Sequence, residues 1–186
     1  VKPADLPSNA EIRDEVQALA RCHEGDSRDV HLREMRVEAL RLMRRLELFR
    51  PRLIGSVLTG HVRRGSDIDI HVFSDSVDAV TLALDEDATV YDVERKRVHK
   101  DGVERLFTHV HVRDRFPFEL TVYPAKQVST VFKSSITGKP IERASIAELE
   151  QFLAVEYPDL ALGAALDEAV EDAAAQVDRF QVYASL

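Results

Sequence analysis

Cysteine occurs only once, at Cys22, which excludes an internal disulfide and any zinc site built on several thiolates. No stretch approaches the roughly 18 uncharged apolar residues that a membrane span needs, so no membrane association is expected. The opening Val1-Lys2-Pro3-Ala4-Asp5 lacks the apolar run of a signal peptide, and a cytoplasmic protein is the expectation. Basic residues are in the minority: 25 Lys and Arg against 33 Asp and Glu leave a formal net charge of −8. Such a surface repels phosphate backbones and disfavours a long nucleic-acid partner, although local basic patches remain compatible with it. The seven histidines sit mostly apart and none forms an HExxH pair. Internal repeats and low-complexity linkers are also missing.

What is present suits one medium domain: 186 residues, 45% of them hydrophobic. The first fifty residues read as helix. Ser8 or Asn9 can cap a segment reaching Cys22, and Glu24-Gly25-Asp26-Ser27 reads as a turn. A second helical stripe then runs through Val30, Met35, Val37, Leu40, Leu42, Met43, Leu46 and Phe49. Arg33, Arg36, Arg41, Arg44 and Arg45 lie among these apolar positions and read as a solvated face. Pro51 ends the pattern. Arg52 to Val57 and Ile68 to Phe73 then read as strands, and Ser76 to Leu84 as a short helix. Tyr91 to His99 and Arg105 to Arg113 pair as a hairpin across Lys100-Asp101-Gly102, and Phe118 to Tyr123 is a further strand. Ser145 stands three residues before Glu148, a capping-box pattern that opens a helix toward Glu156. Tyr157-Pro158-Asp159 interrupts it before an alanine-rich acidic helix from Leu160 to Val182. The expected architecture is α+β, a single domain over 1–186. Helices occupy 1–50, a mixed sheet 51–124 and helices again 125–186.

Chemistry concentrates between Leu53 and Ile70. Leu53-Ile54-Gly55-Ser56 closes one expected strand, and after a ten-residue spacer Asp67-Ile68-Asp69-Ile70 opens the next. Residues i and i+2 of a strand share a face about 7 Å apart. Asp67 and Asp69 therefore aim two carboxylates one way while Ile68 and Ile70 face the core. Like charges so placed call for a cation between them, and hard oxygen donors select Mg²⁺ or Mn²⁺. A glycine lets backbone approach a phosphate closely, and the Ser56 hydroxyl and amide can hydrogen-bond it. Gly65-Ser66 supplies a tight turn into the acidic strand. An isolated Asp-x-Asp or Gly-Ser is more often a solvent-facing pair or a turn. Their conjunction across a basic, glycine-bearing loop is what carries weight.

With Gly55-Ser56, the spacer, Asp67-Ile68-Asp69 and the lead-in Arg64-Gly65-Ser66, the segment resembles the polymerase-beta-like nucleotidyltransferase superfamily. The resemblance covers about Leu46 to Tyr123 and leaves the flanking helices unassigned. It implies a mixed sheet backed by helices and two Mg²⁺ ions. It also implies transfer of a nucleoside monophosphate from a nucleoside triphosphate to a hydroxyl acceptor, with release of pyrophosphate. On it, Asp67 and Asp69 hold metal, and Gly55, Ser56, Arg64 and Ser66 contact substrate. The family's third carboxylate falls to Glu119, because Phe118, Leu120 and Val122 alternate with Glu119, Thr121 and Tyr123. Asp114, in the polar turn Arg113-Asp114-Arg115, is its competitor.

Weaker candidates remain. Arg63, Arg64, Lys133 and Lys139 are cations suited to triphosphate charge. The loop from Lys133 to Lys139 lacks the glycine spacing of a phosphate-binding Walker loop. His109 and His111 share a strand face, and a hydrogen-bonded surface pair is the simpler reading of them than a metal site. The rival functional class is a catalytically silent nucleotidyltransferase-like chain, binding a helical protein partner or a second copy of itself through its flanking helices.

Overall fold

A computed structural model of the chain describes residues 9–63, 65–86, 88–100, 103–134 and 138–160. The chain divides into two compact units, Val1–Ala147 and Glu148–Leu186.

Helix α1 spans Asn9–Arg45 without interruption. The turn expected at Glu24-Gly25-Asp26-Ser27 is helical instead. Gly25 costs a helix about 1 kcal/mol relative to alanine, too little to break one with long helical arms on either side. Leu32, Met35, Ala39, Leu42, Met43 and Leu46 are buried at helical spacing and form the stripe that packs on the sheet. The arginine face is less solvated than its pattern suggests. Arg36 is only 5% exposed and Arg28 8%.

A five-stranded sheet follows, in the order β1-β2-β5-β4-β3. Strand β1 is Arg52–Leu53, β2 Ile68–Phe73, β3 Val90–Lys100, β4 Val103–Arg113 and β5 Pro117–Tyr123. The sheet is mixed: β2 and β5 run parallel, and the other neighbours are antiparallel. The fold is therefore α+β with a mixed sheet. Strands β3 and β4 pair from Val90↔Arg113 to Lys100↔Val103, and the expected Asp-Gly turn between them lies outside the described residues. Period-two alternation sorts the side chains. Ile68, Ile70, Val72, Val110, Val112, Phe118, Leu120 and Val122 are buried on one face. Asp69, His71, Glu119, Thr121, His109 and His111 occupy the other.

Two short helices complete the layer around β2. Helix α2 is Gly55–Thr59 and α3 is Val77–Asp85. Ser76 caps α3, its hydroxyl accepting from the Ala79 amide at 3.2 Å. In the second unit α4, Ile146–Glu156, begins directly after Ser145 and buries Leu149 and Leu153. The helix breaks at Tyr157 and resumes over 158–160. The remainder of the expected Leu160 to Val182 helix falls outside the described residues.

The buried arginines of α1 explain the position of α2. Arg36 donates from Nε to the Val57 carbonyl at 3.0 Å and from Nη2 to that of Leu58 at 3.2 Å. Arg28 donates to the carbonyls of Val62 and Gly60, each at 3.2 Å. These carbonyls lie at the end of α2 and just beyond it, where no intrahelical donor reaches them. Replacing Arg36 by Met should strand one buried and one half-buried acceptor and cost about 2–4 kcal/mol. Arg36→Lys should recover little of that, because an ammonium lacks the fork that spans both oxygens. Urea unfolding midpoints of the two variants check this, and a Met variant as stable as wild type would remove the tether.

Candidate active site

The turn from β1 into α2 is where the two halves of the motif meet. Leu53 donates to the Ala144 carbonyl at 2.9 Å, and Ile54 donates to the Asp69 carbonyl at 3.0 Å. Gly55 then turns left-handed, with φ +71°. That conformation ends the strand at Leu53, so Gly55-Ser56 opens α2 instead of closing a strand that reaches Val57. The approach is very close. A Cβ on Gly55 would stand 2.5 Å from Asp69 Oδ2 and 3.3 Å from its Cγ. Two constraints therefore favour glycine here, the left-handed backbone and a carboxylate pressed against it, both separate from any phosphate.

Asp69 lies in β2 and is half-buried, while Asp67 precedes the strand by one residue and is exposed. The expectation that both sit on the strand is thus corrected. The turn at 63–66 delays the start of pairing: Ser66 donates its amide to the Arg63 carbonyl at 3.0 Å and accepts the Arg63 amide on Oγ at 2.8 Å. The Ser66 hydroxyl is thereby engaged in that turn. Arg64 lies outside the described residues.

Glu119 is the register partner of Asp69 across the parallel β2–β5 pair. Being neighbours in register, the two carboxylates share a sheet face. Burial, then the Glu119 charge, then the Asp67 charge push the Asp69 carboxyl from 3.8 up to about 6. Asp69 thus feels both of the other acids. Asp114 is placed elsewhere, beside Glu38, Arg41, Leu42, Arg44 and Arg45 of α1 around a cavity of about 440 Å³.

No family model matches the chain, and neither a curated protein nor a solved structure matches it. The site therefore rests on its own geometry.

Histidines and aromatic rings extend the acidic face along the sheet. His109 Nδ1 lies 2.7 Å from Glu119 Oε1, and His111 Nε2 lies 3.2 Å from Glu94 Oε2. Glu94 also holds Lys96 at 3.0 Å. His71, two residues beyond Asp69, is 3% exposed, and its Nδ1 meets no hydrogen-bond partner among the described residues. Burial, with the nearby Arg143 and His109 charges, lowers it to about 4, so its ring is neutral near pH 7. The ring meets Tyr123 at 4.8 Å and Phe132 at 5.3 Å, both edge-on, and Arg143 lies 5.4 Å over the Phe132 ring. Neither His71 nor Arg143 belongs to the acidic motif. Alternation from Asp69 would have found His71; nothing local points to Arg143. Of the other cations, Arg63, Lys133 and Lys139 are exposed.

The donor set is three carboxylates, the hard oxygen ligands that suit Mg²⁺ or Mn²⁺. Among the described residues no three His, Cys, Asp or Glu side chains are already gathered at ligand spacing. The charges of Glu119 and Asp67 instead add to burial in raising the Asp69 carboxyl, a repulsion that a cation held there would relieve.

Proposed function

We propose that the chain is a metal-dependent nucleotidyltransferase of the polymerase-beta-like type, moving a nucleoside monophosphate from a nucleoside triphosphate to a hydroxyl acceptor. One observation carries the reading. Gly55, at the head of the Gly-Ser segment, packs directly on the Asp69 carboxylate, and Asp69 stands in register with Glu119. Three elements remote in sequence thus converge on one acidic point, where a solvated acidic pair would need none of them.

Asp67, Asp69 and Glu119 are the residues that would hold Mg²⁺ or Mn²⁺, which supplies charge neutralisation on the donor phosphates when bound. The acceptor oxygen attacks the α-phosphorus, the bond from that phosphorus to the β-phosphate bridging oxygen breaks, and pyrophosphate leaves. Glu119 takes the proton lost by the acceptor hydroxyl. Gly55 and Ser56 offer backbone amides and a hydroxyl to the departing phosphates from beside Asp69. Positioning and charge compensation supply most of the rate, as in phosphoryl transfer generally.

Incubating the protein with α-labelled nucleoside triphosphates, Mg²⁺ and cell lysate should transfer label to a host molecule and release pyrophosphate. Chelator should abolish it. A folded chain that binds nucleotide and Mg²⁺ but transfers nothing to any lysate fraction would favour the silent, partner-binding alternative.

A further inference from the structure

Glutamate at a carboxylate cluster poses a positional problem. It has three rotatable side-chain bonds, and here its neighbours across the strand repel it. Among the described residues Glu119 is held against that repulsion by a direct contact with His109, whose Nδ1 lies 2.7 Å from Oε1. The pair is diagonal across the antiparallel β4–β5 ladder, where Glu119 is opposite His111 and His109 opposite Thr121. Both side chains are largely shielded, with 16% of His109 and 29% of Glu119 exposed, unlike a solvent-facing ion pair.

The imidazole is itself held in place. His111 stacks against it with centroids 6.4 Å apart and planes 18° from parallel. Thr121 Oγ1 lies 3.4 Å from Nδ1. His111 is in turn fixed by Glu94 at 3.2 Å. The contacts thus link Glu94 to His111, His111 to His109 and His109 to Glu119, the register partner of Asp69.

We infer that His109 is a positioning residue for Glu119: its Nδ1–H holds Oε1 and leaves Oε2 to face an ion or an acceptor hydroxyl. This rests on the nucleotidyltransferase reading and adds to it a residue outside the acidic motif. The ring nitrogen that carries the proton is set by the bond it makes, so a carboxylate at Nδ1 dictates the Nδ1–H tautomer. A residue that orients a metal-holding carboxylate in this way typically changes metal affinity or activity by about 10–100-fold when removed.

The test compares wild type with His109→Leu, His109→Asn and Glu119→Gln. Asparagine keeps an N–H donor near the place of Nδ1, and leucine keeps bulk without a donor. Mn²⁺ affinity is measured by paramagnetic resonance without nucleotide, and kcat and KM for nucleoside triphosphate by label transfer. The imidazole nitrogen spectrum reports the tautomer. His109→Leu should weaken Mn²⁺ binding and lower kcat by about 10–100-fold, with KM within about twofold of wild type. His109→Asn should recover most of both losses, and the wild-type spectrum should show the proton on Nδ1. The inference is overturned if wild type binds Mn²⁺ and transfers while His109→Leu matches it. It is equally overturned if Asn is as impaired as Leu, or if the proton sits on Nε2. A wild type that neither binds Mn²⁺ nor transfers, and is indistinguishable from Glu119→Gln, rejects the nucleotidyltransferase reading itself and this inference with it.

Discussion

Asp69→Asn should lower metal-dependent transfer on the order of 1,000-fold while making the metal-free protein more stable above pH 6. The two effects have one origin. Asp69 is half-buried, pressed against the Gly55 backbone and faced by the charges of Glu119 and Asp67. Its carboxyl is raised from 3.8 to about 6, so the folded chain holds that proton more tightly than the unfolded chain does. The group therefore favours folding fully below about pH 4. Its contribution is lost as pH climbs from 4 to 6, and above 6 the ionised form is a cost. The whole shift would correspond to about 3 kcal/mol, and partial solvent screening reduces this to about 1–2 kcal/mol.

Asparagine cannot ionise and keeps the shape, so in chelator at pH 7.5 the variant should melt about 3–6 °C above wild type. The difference should vanish near pH 4. Millimolar Mg²⁺ should raise the wild-type melt and leave the variant nearly unmoved, because only a ligand that binds the folded state shifts the midpoint. Transfer at wild-type rate would remove Asp69 from the chemistry. A variant destabilised equally at pH 4 and pH 7.5 would show that its carboxylate is structurally needed rather than strained.

The parts of this site that were legible in the sequence are those governed by local periodicity. Ile68, Ile70, Phe118 and Leu120 alternate with Asp69 and Glu119, and a period of two states which face each takes wherever the strand lies. Strand order is not local. That Asp69 and Glu119 are opposite each other follows from the parallel β2–β5 pairing, which no spacing encodes. The diagonal from His109 to Glu119 likewise needs the register of β4 on β5. Arg36 departs from its sequence pattern for a different reason. An arginine among apolar helix positions reads as solvent-facing, yet its guanidinium reaches orphan carbonyls of another element. Its stem can lie along an apolar surface while its head finds acceptors that the protein itself supplies. The Gly25 turn failed because a single glycine is a weak breaker against helix on both sides. In Gly55 the residue type was informative and half its cause was hidden, since beside its left-handed φ the carboxylate that crowds it lies fourteen positions away at Asp69.

Gly55→Ala is the sharpest test of that contact. Alanine at φ +71° carries a backbone penalty of about 1–2 kcal/mol. Its Cβ would also stand 2.5 Å from Asp69 Oδ2 and 3.3 Å from Cγ. Real side chains do not tolerate 2.5 Å, so either the carboxylate swings off its position or α2 lifts away from β2. Arg36 and the Ile54–Asp69 hydrogen bond oppose the second route. The combined loss should be about 2–4 kcal/mol, with transfer falling about 100-fold as Asp69 leaves its place. Gly65→Ala supplies the control. Gly65 has φ +81°, and a Cβ there would meet nothing within 4 Å, so alanine at that position should pay the backbone penalty alone. Subtracting one urea-unfolding free energy from the other isolates the contact with Asp69. An independent measure is the double-mutant cycle of Gly55→Ala with Asp69→Gly, since deleting the Asp69 side chain removes the clash. The two substitutions should couple by about 1–2 kcal/mol, Gly55→Ala costing less in the Asp69→Gly background than in wild type. Equal losses at Gly55 and Gly65, together with additivity in the cycle, would mean that the Gly-Ser turn and the acidic strand are not mechanically joined. The convergence on which the proposed activity rests would then be lost.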